Sequence, residues 1–191
     1  MDGVRSTTAG NDSHALATIR PPQPMNQGLQ DVQLNMLLEQ ARRATGTEFA
    51  ALNVLRDDLQ VTVASAPAAG PLTIGRTEGI CGRILCAMTG LHRVFATPDA
   101  GTDPDLHDSP WVSGEIAAIR FYVGASLTGS RGELLGTLCA FSLQSTTFAR
   151  AEAAAMRLAS VRDCLQHVLD ARWRDVPGTD YGDAIFGPLA S

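Results

Sequence analysis

Lysine is absent from this chain, and all fifteen of its basic residues are arginine. Without an amine side chain, a phosphate-binding loop of the GxxxxGK type, a Schiff-base enzyme and the strand lysine of a protein kinase are excluded. The arginines are scattered along a chain whose formal net charge is -5. Nucleic acids and anionic membranes bind clustered positive charge, so we expect neither as a partner.

Long apolar runs are also missing. No stretch approaches the length that spans a bilayer, and the opening segment MDGVRSTTAG lacks the apolar core of a secretory signal. These two absences predict a cytoplasmic protein.

Cysteine and histidine are few and dispersed. The four cysteines, Cys81, Cys86, Cys139 and Cys164, have no CxxC spacing and lie in apolar or helical patterns, which favours reduced, buried thiols over a disulfide framework. The histidines at positions 14, 92 and 167 are isolated, so no transition-metal cluster is predicted. No motif for haem or bilin attachment is recognisable, and the sequence names no cofactor.

The chain has enough apolar residues for one substantial core, since 45% of its 191 residues are hydrophobic. Residues 1–25 are polar, contain RPPQP and show no sustained period, which predicts a disordered N-terminal arm. We expect the folded domain over residues 26–173 and a C-terminal tail over 174–191. No output domain fits in this length, so we expect a free-standing sensor or a fragment of a longer protein.

Hydrophobic periodicity divides the domain into helices and strands. Helical spacing runs from Leu29 to just before Thr47 and again over residues 80–88, with a helical turn at 111–118 and a long helix over 148–173. Strand patterns cover residues 49–55, 59–64, 93–98, 119–127 and 134–143, and residues 67–79 are predicted as a loop. Strand pairs joined by short turns form antiparallel sheets, so the sequence predicts an α+β domain.

Several motifs follow one another in the second half of the chain. They are Pro98-Asp99 followed by Asp103-Pro104, Ser109-Pro110 with Val112, IRFYVGASL at 119–127 and LGTLC at 135–139. Together with the closing helix they resemble a GAF domain, the small-molecule sensing module of bacterial signalling proteins, over about residues 28–172. The subtype is similar to the GAF domains that precede diguanylate cyclase and histidine kinase modules.

The resemblance implies a GAF fold with five or six antiparallel strands, the terminal helices on one face and a ligand pocket on the other, under short helices and loops. It implies that the pocket is lined by some of Cys81, Leu85, Phe95, Asp99, Trp111, Ile119, Phe121 and Cys139. Ligand sites are typically apolar with a few placed polar groups, and this set has that composition. The alternative is that the same side chains fill a collapsed core.

The strand at 119–127 places alternate residues on opposite faces. Phe121, Val123 and Ala125 share one face, and we expect Phe121 to face the pocket. Arg120 points the other way, where we expect a structural ion pair or, alternatively, contact with an anionic ligand. The candidate carboxylates are Asp99, Asp103 and Glu115.

The acidic loop over residues 99–108 is a candidate for binding calcium or magnesium, because Asp103, Asp105 and His107 occupy alternate positions. The EF-hand spacing, with its central Gly and terminal Glu, is absent. We therefore expect a solvated loop whose Asp side chains cap turns, and no metal site.

The segment GICGRILC at 79–86 is similar to the Gly-Val-Cys-Gly of the free methionine sulfoxide reductases, GAF-fold enzymes that use cysteine thiolates. A helix N-terminus lowers the pKa of a thiol such as Cys81. On an intact helix, however, Cys81 and Cys86 lie roughly 8 to 9 Å apart, which is beyond disulfide reach. Those reductases carry a further cysteine before the central strand, and this chain has none between Ala87 and Leu138.

The sequence therefore predicts a cytoplasmic, bacterial, non-enzymatic GAF sensor that binds an unidentified small molecule and signals through its terminal helices. We expect a homodimer through these helices, with a downstream signalling protein as a further partner. The long helix offers the surface residues Val161, Leu165, Val168 and Leu169. Two alternatives remain open, a thiol oxidoreductase similar to the free methionine-(R)-sulfoxide reductases and a ligand-free dimerisation module.

Overall fold

The computed structural model describes residues 29–69, 72–87, 94–129 and 132–174. The arm predicted over residues 1–25 lies outside these ranges. Of the predicted tail, only Arg174 lies inside them, as the last residue of a helix.

The described elements follow the order that hydrophobic periodicity predicts. The helices are α1 (Leu29–Thr45), α2 (Ile80–Ala87), α3 (Pro110–Ser113) and α4 (Phe148–Arg174). The strands are β1 (Phe49–Arg56), β2 (Leu59–Ala66), β3 (Leu72–Gly75), β4 (Val94–Thr97), β5 (Phe121–Thr128) and β6 (Leu134–Ser142). No helix in the described part of the chain is both long enough and apolar enough to cross a membrane.

The strands form one six-stranded antiparallel sheet in the order β3-β2-β1-β6-β5-β4. The hairpin β1-β2 turns at Asp57, which adopts a positive φ of 46°. The first and last strands along the chain are neighbours in the middle of the sheet, because β1 pairs with β6. The predicted α+β architecture and antiparallel sheet are confirmed.

The terminal helices α1 and α4 pack together on one face of the sheet. Their buried residues meet alternate residues of the central strands, as strand geometry requires. The strand residues of this core include Leu52, Val54, Val123, Ala125, Leu138 and Ala140. Burial of this apolar surface is the main force that holds the helices on the sheet.

The opposite face carries a second core around α2, α3 and the acidic loop. It contains the alternate strand residues Ala51, Tyr122 and Cys139, together with Ile80 and Cys81 of α2. Leu106 of the acidic loop and Val112 of α3 close this core from outside. The sheet therefore separates a helix layer from a layer of short helices and loops.

Two expectations about the elements are wrong. Residues 67–79 are not a continuous loop, because Leu72–Gly75 pairs with β2 as the edge strand β3. The surface predicted for a second copy is not free either, because Val161, Leu165 and Leu169 are buried against the sheet. Their stripe is already covered within one chain.

Candidate functional site

A cavity of about 340 Å³ opens on the face of the sheet away from the terminal helices. Its floor is formed by β1, β2, β5 and β6, and its walls by α2, α3 and residues 67–69, which follow β2. The lining is mostly apolar. It includes Ala51, Asn53, Gln60, Thr62, Ile74, Ile80, Cys81, Trp111, Ile119, Tyr122, Cys139 and Phe141.

Strand alternation places three polar side chains at the floor of the cavity. Asn53 lies on β1, Tyr122 on β5 and Cys139 on β6, each on the face away from the terminal helices. Cys139 is flanked across the sheet by Ala51 and Gly124, two small residues that leave room around its sulfur.

Gly124 allows Tyr122 to reach the centre of the floor. Residues i and i+2 of a strand share a face, so a side chain at position 124 would stand beside the Tyr122 ring. A Cβ atom built on Gly124 would lie 2.9 Å from the Tyr122 hydroxyl. The missing side chain lets the phenol lie along the strand toward Cys81.

Helix α2 holds Cys81 against this floor. Cys81 is the second residue of the helix and is buried. The helix approaches the turn after β3 so closely that a Cβ atom on Gly82 would overlap the carbonyl oxygen of Arg76. A glycine at position 82 is therefore required for the helix to place Cys81 at the sheet.

The two buried thiols share one hydrogen-bond network. The Asn53 amide nitrogen donates to the sulfur of Cys81 at 3.2 Å and to the sulfur of Cys139 at 3.3 Å. The Tyr122 hydroxyl lies 3.0 Å from the Cys81 sulfur. Asn53 is itself oriented by Thr62, whose hydroxyl donates to the amide oxygen at 2.7 Å.

This hydrogen-bond network shifts the pKa values of the two thiols in opposite directions. A hydrogen bond with Cys139 is the largest influence on Cys81, and together with smaller contributions from Thr137, Tyr122 and Asn53 it outweighs burial, so the pKa of Cys81 falls to about 7. The same contact and burial raise the pKa of Cys139 well above its usual range. Burial and the neighbouring sulfurs also raise the pKa of the Tyr122 phenol. Cys81 is therefore the sulfur that ionises, while Cys139 and Tyr122 remain proton donors.

Trp111 forms part of the cavity wall at the start of α3. Ser109 caps this helical turn, since its hydroxyl accepts from the Trp111 amide, and Pro110 occupies the first helical position. Arg120 braces the turn by donating to the carbonyl oxygens of Val112 at 2.7 Å and Ile119 at 3.1 Å. In the described structure the hydrogen-bond partners of the Arg120 side chain are therefore main-chain carbonyl oxygens, whereas the sequence predicted a carboxylate as the partner.

An ion pair joins α2 to the acidic loop. The guanidinium of Arg83 contacts a carboxylate oxygen of Asp108 at 2.6 Å, and this hydrogen bond lowers the pKa of Asp108. Two other loop carboxylates cap turns, with Asp99 accepting from the Gly101 amide and Asp103 from the Asp105 amide. Within the described residues, no three His, Cys, Asp or Glu side chains are grouped as they are in a metal site.

Two buried polar atoms at the cavity have no hydrogen-bond partner in the described part of the chain. They are the side-chain oxygen of Gln60 on β2 and the indole nitrogen of Trp111. The Gln60 oxygen lies against Gly79, immediately before α2. An unpaired buried acceptor and an unpaired buried donor are costly, and a rotation that turns either side chain into the cavity allows a bound molecule to pair with it and remove this cost.

The structure brings four of the predicted pocket residues together at the cavity, namely Cys81, Trp111, Ile119 and Cys139. Three others do not line it. Leu85 is buried in α2, Phe95 packs against Tyr122 with ring centroids 6.4 Å apart, and Asp99 caps its own turn.

The orientation predicted for Phe121 is wrong. Phe121 is buried in the core beneath the terminal helices, and its neighbour Tyr122 lines the cavity. The alternation was assigned correctly, but the two faces were exchanged. Phe121, Val123 and Ala125 form the apolar set that the long helix covers, whereas Tyr122 depends on the space above Gly124.

Sequence reasoning also missed Asn53, Gln60 and Tyr122 as site residues. Asn53 interrupts the otherwise apolar strand segment AALNVL, and a polar side chain in a buried strand requires partners. That interruption was the available signal for Asn53. Nothing in the local pattern of Gln60 distinguishes it from an exposed strand residue.

Comparison with known families gives one match that covers most of the chain. The family model described as GAF domain matches residues 31–162. Among curated proteins, a cyclic di-GMP phosphodiesterase from Pseudomonas aeruginosa is 50% identical over 55 residues, which are 28% of this chain. The chain spans only 9% of the length of that protein.

Solved structures of low sequence identity share the fold. A free methionine-R-sulfoxide reductase from Neisseria meningitidis, solved with its substrate, has a TM-score of 0.57 at 19% identity, covering 76% of this chain and 81% of that one. A GAF domain of the A. Aeolicus protein nlh2 has a TM-score of 0.55 at 13% identity, covering 74% and 85%. At these identities the likeness establishes the fold alone.

Proposed function

This chain belongs to the GAF domain family, and on that basis we propose that it is a cytoplasmic sensor that binds a small, mainly apolar molecule in the cavity. GAF domains are generally sensory or regulatory modules, which sets the class of function. The observation that carries the proposal is the cavity of about 340 Å³ between the sheet, α2 and α3. Its volume is at the lower end of the range of small-molecule sites.

The unpaired atoms around the cavity indicate the chemistry of its ligand. The Gln60 oxygen requires a hydrogen-bond donor, and the Trp111 indole nitrogen requires an acceptor. Most of the remaining lining is apolar. We infer a ligand of one or two rings with a donor and an acceptor on its edge, and with no need for charge.

The sheet connects the cavity to the terminal helices. Strand β5 contributes Tyr122 to the cavity and the adjacent Val123 to the helix-facing core. A ligand that moves Tyr122 or α2 therefore acts on a strand on which α4 rests. Binding then shifts the population between two arrangements of the terminal helices, and the size of the shift is set by the difference in ligand affinity between the two arrangements.

Filling the cavity provides the direct test. Replacing Ala51 with leucine adds apolar volume to the floor, so we expect the variant to bind aromatic ligands at least tenfold more weakly than the native protein. Indole and quinoline serve as probes, because each has a bicyclic ring and a single polar nitrogen. The measurement is the rise in Tm with probe concentration, since a ligand that binds the folded state stabilises it.

The control for this experiment is the same substitution at the exposed residue Ala118, which should leave the rise in Tm unchanged. If neither probe, nor any molecule that co-purifies in native mass spectrometry, binds the unsubstituted protein, the alternative of a ligand-free dimerisation module is favoured.

We further propose that the signalling form is a homodimer that uses an exposed stripe of α1. Val32 and Met36 are 55% and 67% exposed, although both are apolar. They lie on one side of the helix with Asn35, Glu39 and Arg43. A parallel or antiparallel pairing of two such stripes buries the exposed apolar side chains.

A charge in the stripe should prevent this pairing. We expect Met36→Asp to convert a dimer into a monomer at micromolar concentration, as measured by light scattering coupled to size-exclusion chromatography. Gln144→Glu, which adds the same charge at an exposed position between β6 and α4 and not on α1, should leave the dimer intact. A monomeric mass for the unsubstituted protein would refute the dimer without affecting the cavity.

The short match to the cyclic di-GMP phosphodiesterase supports a role in signalling. That protein is far longer than the matched segment, so this chain corresponds to a small part of it. We propose that a downstream signalling protein, in the same or a separate chain, receives the change in the terminal helices.

A further inference from the structure

Cys81 and Cys139 are two thiols at the floor of the cavity, and both sulfurs accept a hydrogen bond from the amide nitrogen of Asn53. Cys81 is 4% and Cys139 is 2% exposed, and both line the cavity. They come from elements far apart in the chain, α2 and β6, and are brought together only by the fold. Neither forms a disulfide in this structure.

We propose that Cys81 and Cys139 form a redox-active dithiol that reduces an organic hydroperoxide in the cavity and closes to an intramolecular disulfide. This activity is separate from ligand binding by the sensor. The apolar lining favours an organic hydroperoxide over hydrogen peroxide, which has no apolar part to bury.

The contacts assign different roles to the two sulfurs. Cys81 lies in the first turn of α2, hydrogen-bonds with Cys139, and lies within reach of the Tyr122 hydroxyl and the Asn53 amide. These donors stabilise the thiolate, which is the nucleophilic form. Cys139 keeps its proton, because a second thiolate beside the first is unfavourable.

The reaction balances with these two thiols and one hydroperoxide. The Cys81 thiolate attacks the terminal peroxide oxygen, the O–O bond breaks, and Cys81 becomes a sulfenic acid. The departing alkoxide takes the proton of Cys139 and leaves as the alcohol. The Cys139 thiolate then attacks the Cys81 sulfur and expels hydroxide, which takes a proton from solvent and becomes water.

The position of Asn53 favours the second step. Its amide nitrogen donates to both sulfurs, at 3.2 Å and 3.3 Å, and holds them side by side. A disulfide requires an S–S distance of about 2.05 Å, so rotation of the two side chains must bring the sulfurs closer. An external dithiol, such as a thioredoxin-type reductant, then restores both thiols.

The test is oxidation of the full chain by cumene hydroperoxide at neutral pH. The background variant is Cys164→Ser, which removes an exposed thiol that would link two molecules. We expect the intact mass to fall by two hydrogens, and a digest without reductant to yield a peptide pair linked through Cys81 and Cys139. Dithiothreitol should restore the original mass.

Single variants separate the two roles. With Cys139→Ser, oxidation should stop at a Cys81 sulfenic acid that dimedone traps. With Cys81→Ser, the rate of cumene hydroperoxide consumption should fall at least tenfold, to that of the variant in which Cys81 and Cys139 are both serine. A link between Cys81 and Cys86, oxidation at Cys139 first, or no reaction would each overturn the proposal.

The binding experiment keeps the two proposals distinguishable. If indole or quinoline still stabilises the Cys81→Ser variant while peroxide reduction is lost, both proposals stand. If the probes stabilise the unsubstituted protein but peroxide leaves both thiols unchanged, only the redox inference fails.

Discussion

Alkylation of Cys81 by iodoacetamide is expected to follow a titration curve with a midpoint near pH 7. Iodoacetamide reacts with the thiolate, and the pKa of Cys81 is lowered from 9.0 to about 7 by its hydrogen bonds. The rate should therefore rise between pH 6 and pH 8 and change little above that range. Mass spectrometry of Cys81 peptides, sampled over time at each pH, gives the rate.

Removal of the Tyr122 hydroxyl should move this midpoint upward. The contact with Cys139 influences Cys81 more than the phenol does, so Tyr122→Phe is expected to raise the midpoint by no more than about one pH unit, which corresponds to about 1.4 kcal/mol. At pH 7 the alkylation rate then falls by up to about fivefold, because the thiolate fraction falls from about one half to about one tenth. The ring and its packing remain, because only the oxygen is removed.

The matched control removes a hydroxyl from the same cavity without touching the sulfurs. Ser65 lines the cavity, and its oxygen accepts from the Ala69 amide. Ser65→Ala should leave the midpoint of Cys81 unchanged. If Tyr122→Phe also leaves it unchanged, the phenol does not stabilise the thiolate and the network is assigned wrongly.

The same ionisation makes stability depend on pH in a defined direction. The folded-state pKa of Cys81 lies below its unfolded value, so its ionised form stabilises the fold fully above about pH 9 and loses this contribution as the pH falls to about 7. Cys139 and Tyr122 act in the opposite sense, because their pKa values are raised and their contributions disappear at higher pH. The difference in the free energy of unfolding between the native protein and Cys81→Ser, measured across this pH range, isolates the contribution of Cys81.

The layers of the fold could be predicted because they follow from periodicity. Apolar spacing over residues 148–173 and strict alternation in β5 each require a buried face, and only a sheet with helices packed on it satisfies both. Strand β3 was missed for a different reason. Its four residues follow Gly70-Pro71 and end at Gly75, and they form a strand only because β2 supplies the pairing backbone.

The site was harder to predict than the fold. Alternation shows which residues share a face, but not which face the helices cover, so Phe121 and Tyr122 were exchanged. The pairing of Cys81 with Cys139 depends on the close approach of α2 to the turn at Arg76, which Gly82 permits. No spacing in the sequence indicates that approach. From the sequence, therefore, only Cys86 was considered as a possible disulfide partner of Cys81.

Replacing Leu158 with alanine should lower the free energy of unfolding more than any other substitution proposed above. Leu158 lies at the centre of the core between α4 and the sheet and is completely buried. A Leu→Ala change at such a site loses apolar burial and leaves a cavity, so we expect the free energy of unfolding to fall by about 2–5 kcal/mol. Urea denaturation followed by circular dichroism measures this change.

Met156 provides the control on the same helix, two residues away, because its side chain is 68% exposed. Met156→Ala should change the free energy of unfolding by less than about 0.5 kcal/mol, as is usual for surface sites. Equal losses in the two variants would mean that α4 does not pack on the sheet through Leu158. A large loss of stability confined to Leu158→Ala would instead show that α4 is held on the face of the sheet opposite the cavity. The proposed signal requires this arrangement.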